Sequence, residues 1–165
     1  MNATGAAARA EGAVKIYGKG DAEVRALDGV SAAFDHGQFT AIMGPSGSGK
    51  STLLHCMAGL DDLTSGTVWI GGEDLTTLSE RELTLLRRER VGFVFQAFNL
   101  IPSLTAVQNV AIPLILTGSK RVDAYERAEA ALALVGMSER ASHLPGRLSG
   151  GQQQRVAVAR GIVHD

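Results

Sequence analysis

An α/β fold is predicted by three observations: strand-like and helix-like periodicities alternate along the chain, an apolar run at residues 39–43 feeds directly into a glycine-rich loop, and an amphipathic helix starts immediately after that loop. The 165 residues are 45% hydrophobic and 20% charged, which suffices for one globular unit and excludes disorder throughout. Sixteen Lys and Arg against 17 Asp and Glu leave a formal net charge of −1, with no block of like charge, so no nucleic-acid partner is expected. The single cysteine, Cys56, cannot build a disulfide framework or a multi-thiolate metal site. It is expected in the packed core, and it fits a reducing, cytosolic compartment. No apolar run approaches the roughly 20 residues that cross a bilayer, and 111–116 contains Pro113.

Taken in order, residues 1–11 are Ala- and Gly-rich and are expected as a frayed terminus without the apolar core of a secretory signal. Residues 14–17 and 24–27 predict two short strands around the turn Gly18-Lys19-Gly20-Asp21, and residues 39–43 predict a third strand. After Lys50, Leu53 with Met57 and Leu54 with Ala58 share a helix face, and Gly59 is placed as a left-handed stop. Val68-Trp69-Ile70 before Gly71-Gly72 predicts a strand entering a tight turn. Ser79 and Glu82 have capping-box spacing, Leu78 is placed to pack on Leu83, and Leu86 continues the apolar face of that helix. Arg87, Arg88 and Arg90 close it as a solvated basic end that complements the helix dipole.

Residues 91–95 predict a buried strand ending at Gln96. Beyond it no further strand is expected. Residues 105–116, 122–135 and 152–163 predict helices, with Tyr125, Ala128, Leu132 and Val135 on one face of the second and Val156, Ala159 and Val163 on one face of the third.

Gly44-Pro45-Ser46-Gly47-Ser48-Gly49-Lys50-Ser51 satisfies G-x-x-x-x-G-K-[ST] between a predicted strand and a predicted helix, the context this phosphate-loop motif requires. Glycines let backbone N–H groups converge on an anion, and the helix that follows adds its positive end. Lys50 can reach β and γ phosphates and the Ser51 hydroxyl can ligate Mg²⁺, so a nucleoside triphosphate with magnesium is the expected ligand. His36, His55 and His143 show no metal-ligand spacing, and no other metal is implied. Kinases, GTPases and motor ATPases share this loop. A second glycine-bearing helix start, Leu148-Ser149-Gly150-Gly151-Gln152, allows Ser149 to cap the helix and offer its hydroxyl, and two bare glycines allow close approach of a ligand; by itself it reads first as a capped helix after a glycine turn.

Together, the phosphate loop and Leu148-Ser149-Gly150-Gly151-Gln152, continuing Gln153-Gln154-Arg155, resemble the nucleotide-binding domain of ATP-binding-cassette (ABC) transporters, whose signature reads LSGGQ. Val91-Gly92-Phe93-Val94-Phe95-Gln96, Phe98-Asn99-Leu100-Ile101-Pro102 and Asn109-Val110 look most like the lipoprotein-releasing and macrolide-efflux group. The resemblance implies a P-loop ABC ATPase fold: an antiparallel β subdomain with the first part of the P-loop core at 12–96, a helical subdomain at 97–148, and the signature motif with its helix at 149–165.

The resemblance further implies that Gly44, Pro45, Ser46, Gly47, Ser48, Gly49, Lys50, Ser51 and Thr52 hold ATP, and that Tyr17 stacks on adenine. Gln96 would meet Mg²⁺ and the attacking water and face a membrane subunit. Leu148, Ser149, Gly150, Gly151 and Gln152 would close over the ATP of a second copy in a head-to-tail homodimer. A membrane permease is the implied partner, and the inner face of the plasma membrane the implied location. The second acidic motif, catalytic glutamate, D-loop and switch histidine of the family follow the signature helix; His164 lies too early for the last, and Asp165 cannot be assigned to the acidic strand. A truncated cassette is therefore expected, with core strands absent, in which the complete subunit hydrolyses ATP and these residues alone do not. A non-transport ABC ATPase and an ATP-binding-only module are the rival expectations.

Overall fold

The computed structural model describes residues 5–164, apart from the side chain of Asp21. Met1–Thr4 of the expected frayed terminus and Asp165 lie outside the described residues. The chain divides into two compact units, one up to Leu85 and one from Leu86 onward.

The first unit carries a four-stranded antiparallel sheet in the order β2-β1-β3-β4, formed by β1 (Ala6–Tyr17), β2 (Val24–Asp35), β3 (Ser65–Ile70) and β4 (Glu73–Asp74). The expectation of a frayed end is corrected here, because Ala6–Glu11 form the first half of β1 rather than a loose tail. Alanine is a poor strand former, so the segment gives no local signal. Tertiary pairing overrides propensity: β1 is hydrogen-bonded on both edges, with Ala10 opposite Ala32 on one side and Val68 on the other. Ala10 and Ala13 are buried, and the Arg9 guanidinium stacks 3.8 Å from the Trp69 ring centroid. The short strands expected at 14–17 and 24–27 are thus the adjoining ends of two 12-residue strands, joined through a 3₁₀ turn at Gly20–Ala22.

The helix α1 (Lys50–Met57) packs on β1, β2 and β3 and buries Leu53, Cys56 and Met57. Leu54, expected on the same buried face, is exposed. The helix stops as predicted: Gly59 takes φ +63° and donates to Cys56 O, while Leu60 N donates to His55 O, the paired bonds of a Schellman motif. Gly71 and Gly72, both at positive φ, turn β3 into β4. The helix α2 (Glu80–Arg90) begins where the capping box sets it, with Ser79 N donating to Glu82 Oε2 at 2.8 Å, and Leu83 and Leu86 are buried on its apolar face.

Two expected strands are corrected. Residues 39–43 and 91–95 have no strand partner among the described residues. Phe39 and Met43 are 100% and 87% exposed, and 91–95 alternates half-buried and exposed residues instead of being buried throughout. Apolar patterning supplies the side chains of a strand, but a ladder of hydrogen bonds requires a neighbour.

The second unit is helical, as expected, with α3 (Ala106–Leu116), α4 (Arg121–Leu134) and α5 (Gly150–Ile162) packed against one another. Val110, Leu114, Ala128, Leu132, Val156 and Ala159 form its core. The small residues Ala124, Ala128 and Ala131 on α4 let the helices approach closely. Buried Asn109 is fully engaged: its Oδ1 accepts from Ile101 N, and its Nδ2 donates to the carbonyls of Ile101, Leu104 and Thr105, tying the 101–105 loop to α3. Among the described residues, no helix is long and apolar enough to cross a membrane.

Candidate functional site

The glycine-rich loop at 44–49 runs into α1 without any side-chain cap. Its last residue, Gly49, has φ +84°, and a β-carbon there would lie 2.3 Å from the Ala26 carbonyl oxygen of β2, so only glycine fits. The first intrahelical bond runs from Leu53 N to Gly49 O, which leaves the N–H groups of Lys50, Ser51 and Thr52 without intrahelical partners at the positive end of α1. The Lys50 ammonium folds back into the loop, donating to the carbonyls of Gly44 at 2.9 Å and Pro45 at 2.7 Å and to Ser48 Oγ at 3.3 Å. Amide donors and a cation therefore line one concave turn, an arrangement suited to a polyphosphate. Ser46, Gly47 and Ser51 are exposed. The acid-poor composition of this turn fits magnesium bound mainly by phosphate oxygens and one hydroxyl. Among the described residues no group of three His, Cys, Asp or Glu could hold a metal by itself.

Tyr17 ends β1 with 40% of its surface exposed. Its hydroxyl donates to Asp61 Oδ2, and Lys15, two residues back on the same strand face, pairs with Asp61 Oδ1 and lies 4.9 Å from the Tyr17 ring centroid. Burial pushes the Asp61 carboxyl up, but hydrogen bonds from Lys15 and Tyr17 outweigh it and hold the group below the ordinary carboxylate range. Tyr17 is raised by its bond to Asp61 and by burial, whereas Lys15 is raised because the Asp61 hydrogen bond and charge overcome burial. Sequence reasoning missed Lys15 and Asp61; the period-two spacing of Lys15 to Tyr17 was the available signal. Cys56 is buried, and burial pushes its thiol up, away from the thiolate form.

In the second unit, Ser149 caps α5 in a capping box: its Oγ accepts from Gln152 N at 3.3 Å, and Gln152 Oε1 accepts from Ser149 N at 2.9 Å. Leu148 is buried, and Gln153 Nε2 donates to the carbonyls of Pro145 and Leu148, bracing the turn from behind. Gly150 and Gly151 contrast with Gly49. Both are exposed, and a β-carbon at either would meet nothing within 4 Å. Beside them opens a cleft of about 520 Å³ lined in part by Arg140, Ser149, Gly151, Gln152 and Arg155.

Gln96 is exposed at the start of an unusual loop. Phe98 and Asn99 follow it at φ +60° and +46°, left-handed positions that non-glycine residues seldom occupy. Arg160 of α5 fixes them by donating to Phe98 O and Asn99 O, each at 2.7 Å. No spacing rule in the sequence connects Arg160 with this loop.

Residues 27–165 match the family model described as ABC transporter. The chain is 50% identical over 151 residues to the macrolide export ATP-binding/permease protein MacB of Hyphomonas neptunium, covering 92% of this chain and 23% of that protein. It is 48% identical over 149 residues to the lipoprotein-releasing system ATP-binding protein LolD of Geobacter metallireducens, covering 90% and 66%. A solved dimeric structure of a post-hydrolysis state of the ATP-binding cassette MJ0796 bound to ADP and Pi superimposes with a TM-score of 0.88 at 42% identity, covering 95% of this chain and 69% of that one. The chain thus spans less than a quarter of the length of the first relative and about two thirds of the second, and its fold is that of an ABC ATPase cassette.

Proposed function

The chain belongs to the ABC transporter family, and on that premise we propose that it is the ATP-binding part of a transport motor whose complete subunit hydrolyses ATP. Residues 44–52 hold the triphosphate, with Lys50 on the β and γ phosphates and the Ser51 hydroxyl on magnesium. A magnesium ion held there would supply positive charge against the negative charge that develops on the phosphate during transfer. Gln96 orients the attacking water, and Tyr17 receives the adenine on its ring. Residues 12–96 form the β subdomain with the first part of the P-loop core, 97–148 the helical subdomain, and 149–165 the signature segment.

The observation that carries the dimer is the empty space at Gly150 and Gly151. Two glycines at the start of a helix cost stability relative to alanine, and among the described residues none comes within 4 Å of a β-carbon placed at either. Close approach from outside is the remaining use, and the capped, uncrowded N-terminus of α5 suits an anion. A head-to-tail pair lets one copy's signature segment close over the phosphate held by the other copy's loop, burying two nucleotides with two-fold symmetry. A permease partner converts closing and opening into movement of cargo, which places the motor at the cytoplasmic face of a membrane. The macrolide-export and lipoprotein-releasing functions in the relatives' names favour export or extraction.

Sedimentation of the complete subunit tests this reading. With a non-hydrolysable ATP analogue and Mg²⁺ the protein is expected to dimerise, and with ADP to return to monomer. Persistence as a monomer at saturating analogue, even beside its permease, overturns the proposal.

A further inference from the structure

Asp61 belongs to no motif in the sequence, yet it is the hub of the polar cluster around Tyr17. Its two oxygens are divided between two donors, with Lys15 Nζ on Oδ1 and the Tyr17 hydroxyl on Oδ2. Rotation of the carboxylate breaks one bond or the other. Lys15 also donates to the Asp62 carbonyl, so its ammonium is itself tethered where it covers one face of the Tyr17 ring. The ring is thereby held at its tip by Asp61 and on one face by Lys15, while 40% of the residue's surface stays exposed for a planar partner. A tyrosine ring left free must give up rotamer freedom when a base stacks on it, whereas a ring already fixed gives up little.

We propose that Asp61 is a positioning residue, which grips the Tyr17 hydroxyl and steers Lys15 so that the ring is preset to receive the adenine of the nucleotide held by residues 44–52. The inference rests on the assignment of Tyr17 as the adenine platform. Its consequence is selective: the base end of the ligand depends on Asp61, and the phosphate end does not.

The experiment compares dissociation constants of MgATP and of magnesium tripolyphosphate, which lacks a base, for the complete subunit and its variants. Tyr17→Phe keeps the ring and removes its handle; Asp61→Ala and Asp61→Asn remove the grip; Tyr17→Ala removes the platform. Tyr17→Phe and both Asp61 variants are each expected to weaken ATP by about three- to tenfold, the size of one or two net hydrogen bonds, while tripolyphosphate binding stays unchanged. The double variant Tyr17→Phe with Asp61→Asn is expected to lose no more than the larger single loss, since both break one contact. Unaltered ATP binding by Tyr17→Ala overturns the adenine platform itself. Loss with Tyr17→Ala but none with Tyr17→Phe or Asp61→Asn overturns only the positioning role. Equal weakening of ATP and tripolyphosphate by both Asp61 variants also overturns it, because Asp61 would then be supporting the fold.

Discussion

Gly92 and Gly161 cross so closely that a β-carbon on Gly92 would lie 1.7 Å from the Gly161 carbonyl oxygen. The 91–95 segment passes over the C-terminal end of α5 at this crossing, with Val94 Cγ2 set against Gly161 at 3.1 Å from a β-carbon there. Backbone cannot retreat as a flexible side chain can. Gly92→Ala is therefore expected to destabilise the complete subunit by at least about 3 kcal/mol, read by urea denaturation.

Gly151→Ala is the contrasting case, since its new methyl group meets open space. Stability is expected to stay within about 1 kcal/mol of the parent or to rise, as alanine is the better helix residue. ATP-dependent dimerisation, followed by sedimentation, is expected to fall.

Lys50→Ala removes the ammonium that lies among the carbonyls of Gly44 and Pro45. Nucleotide binding by the monomer is expected to weaken by at least about tenfold, from loss of charge-assisted contacts to phosphate. Gly151→Asp is expected to leave monomer binding intact and to block dimer closure by setting a carboxylate against phosphate. Calorimetric titration of both variants separates the two half-sites.

Arg160→Ala releases two hydrogen bonds from a half-buried guanidinium and frees the left-handed pair Phe98 and Asn99. A loss of about 2 kcal/mol in unfolding free energy is expected. Adding Asn99→Gly is expected to recover little of it, since the bonds rather than the side chain supply the stabilisation. Denaturant midpoints of the single and double variants measure both effects.

The Asp61 cluster has a defined pH window. Asp61 is depressed, so its contribution is complete above the ordinary Asp value of 3.8 and is lost as pH falls through its lower folded value. Tyr17 and Lys15 are raised, so theirs is complete below their ordinary values of 10.0 and 10.5 and is lost as pH rises through the folded ones. In the Tyr125→Phe background, ultraviolet difference titration is expected to show Tyr17 ionising above 10.0, and Asp61→Asn is expected to move the midpoint down.

By itself the sequence determined everything governed by neighbours in the chain. The box joining Ser79 to Glu82, the stop at Gly59 and the apolar periods of α4 and α5 are written in residues a few positions apart, so type and spacing suffice to specify them, whereas Gly49 of the loop leading into Lys50 has a legible motif but is required by the distant Ala26 carbonyl. Only the tertiary structure decided which extended segments became strands. Alanine-rich Ala6–Glu11 gained partners on both edges, while the more apolar residues 39–43 have none among the described residues, because a ladder is satisfied by a distant stretch of backbone and not by local propensity. The same physics hid Asp61 and Arg160: each binds residues more than 40 positions away, and long-range hydrogen bonds leave no period in the sequence.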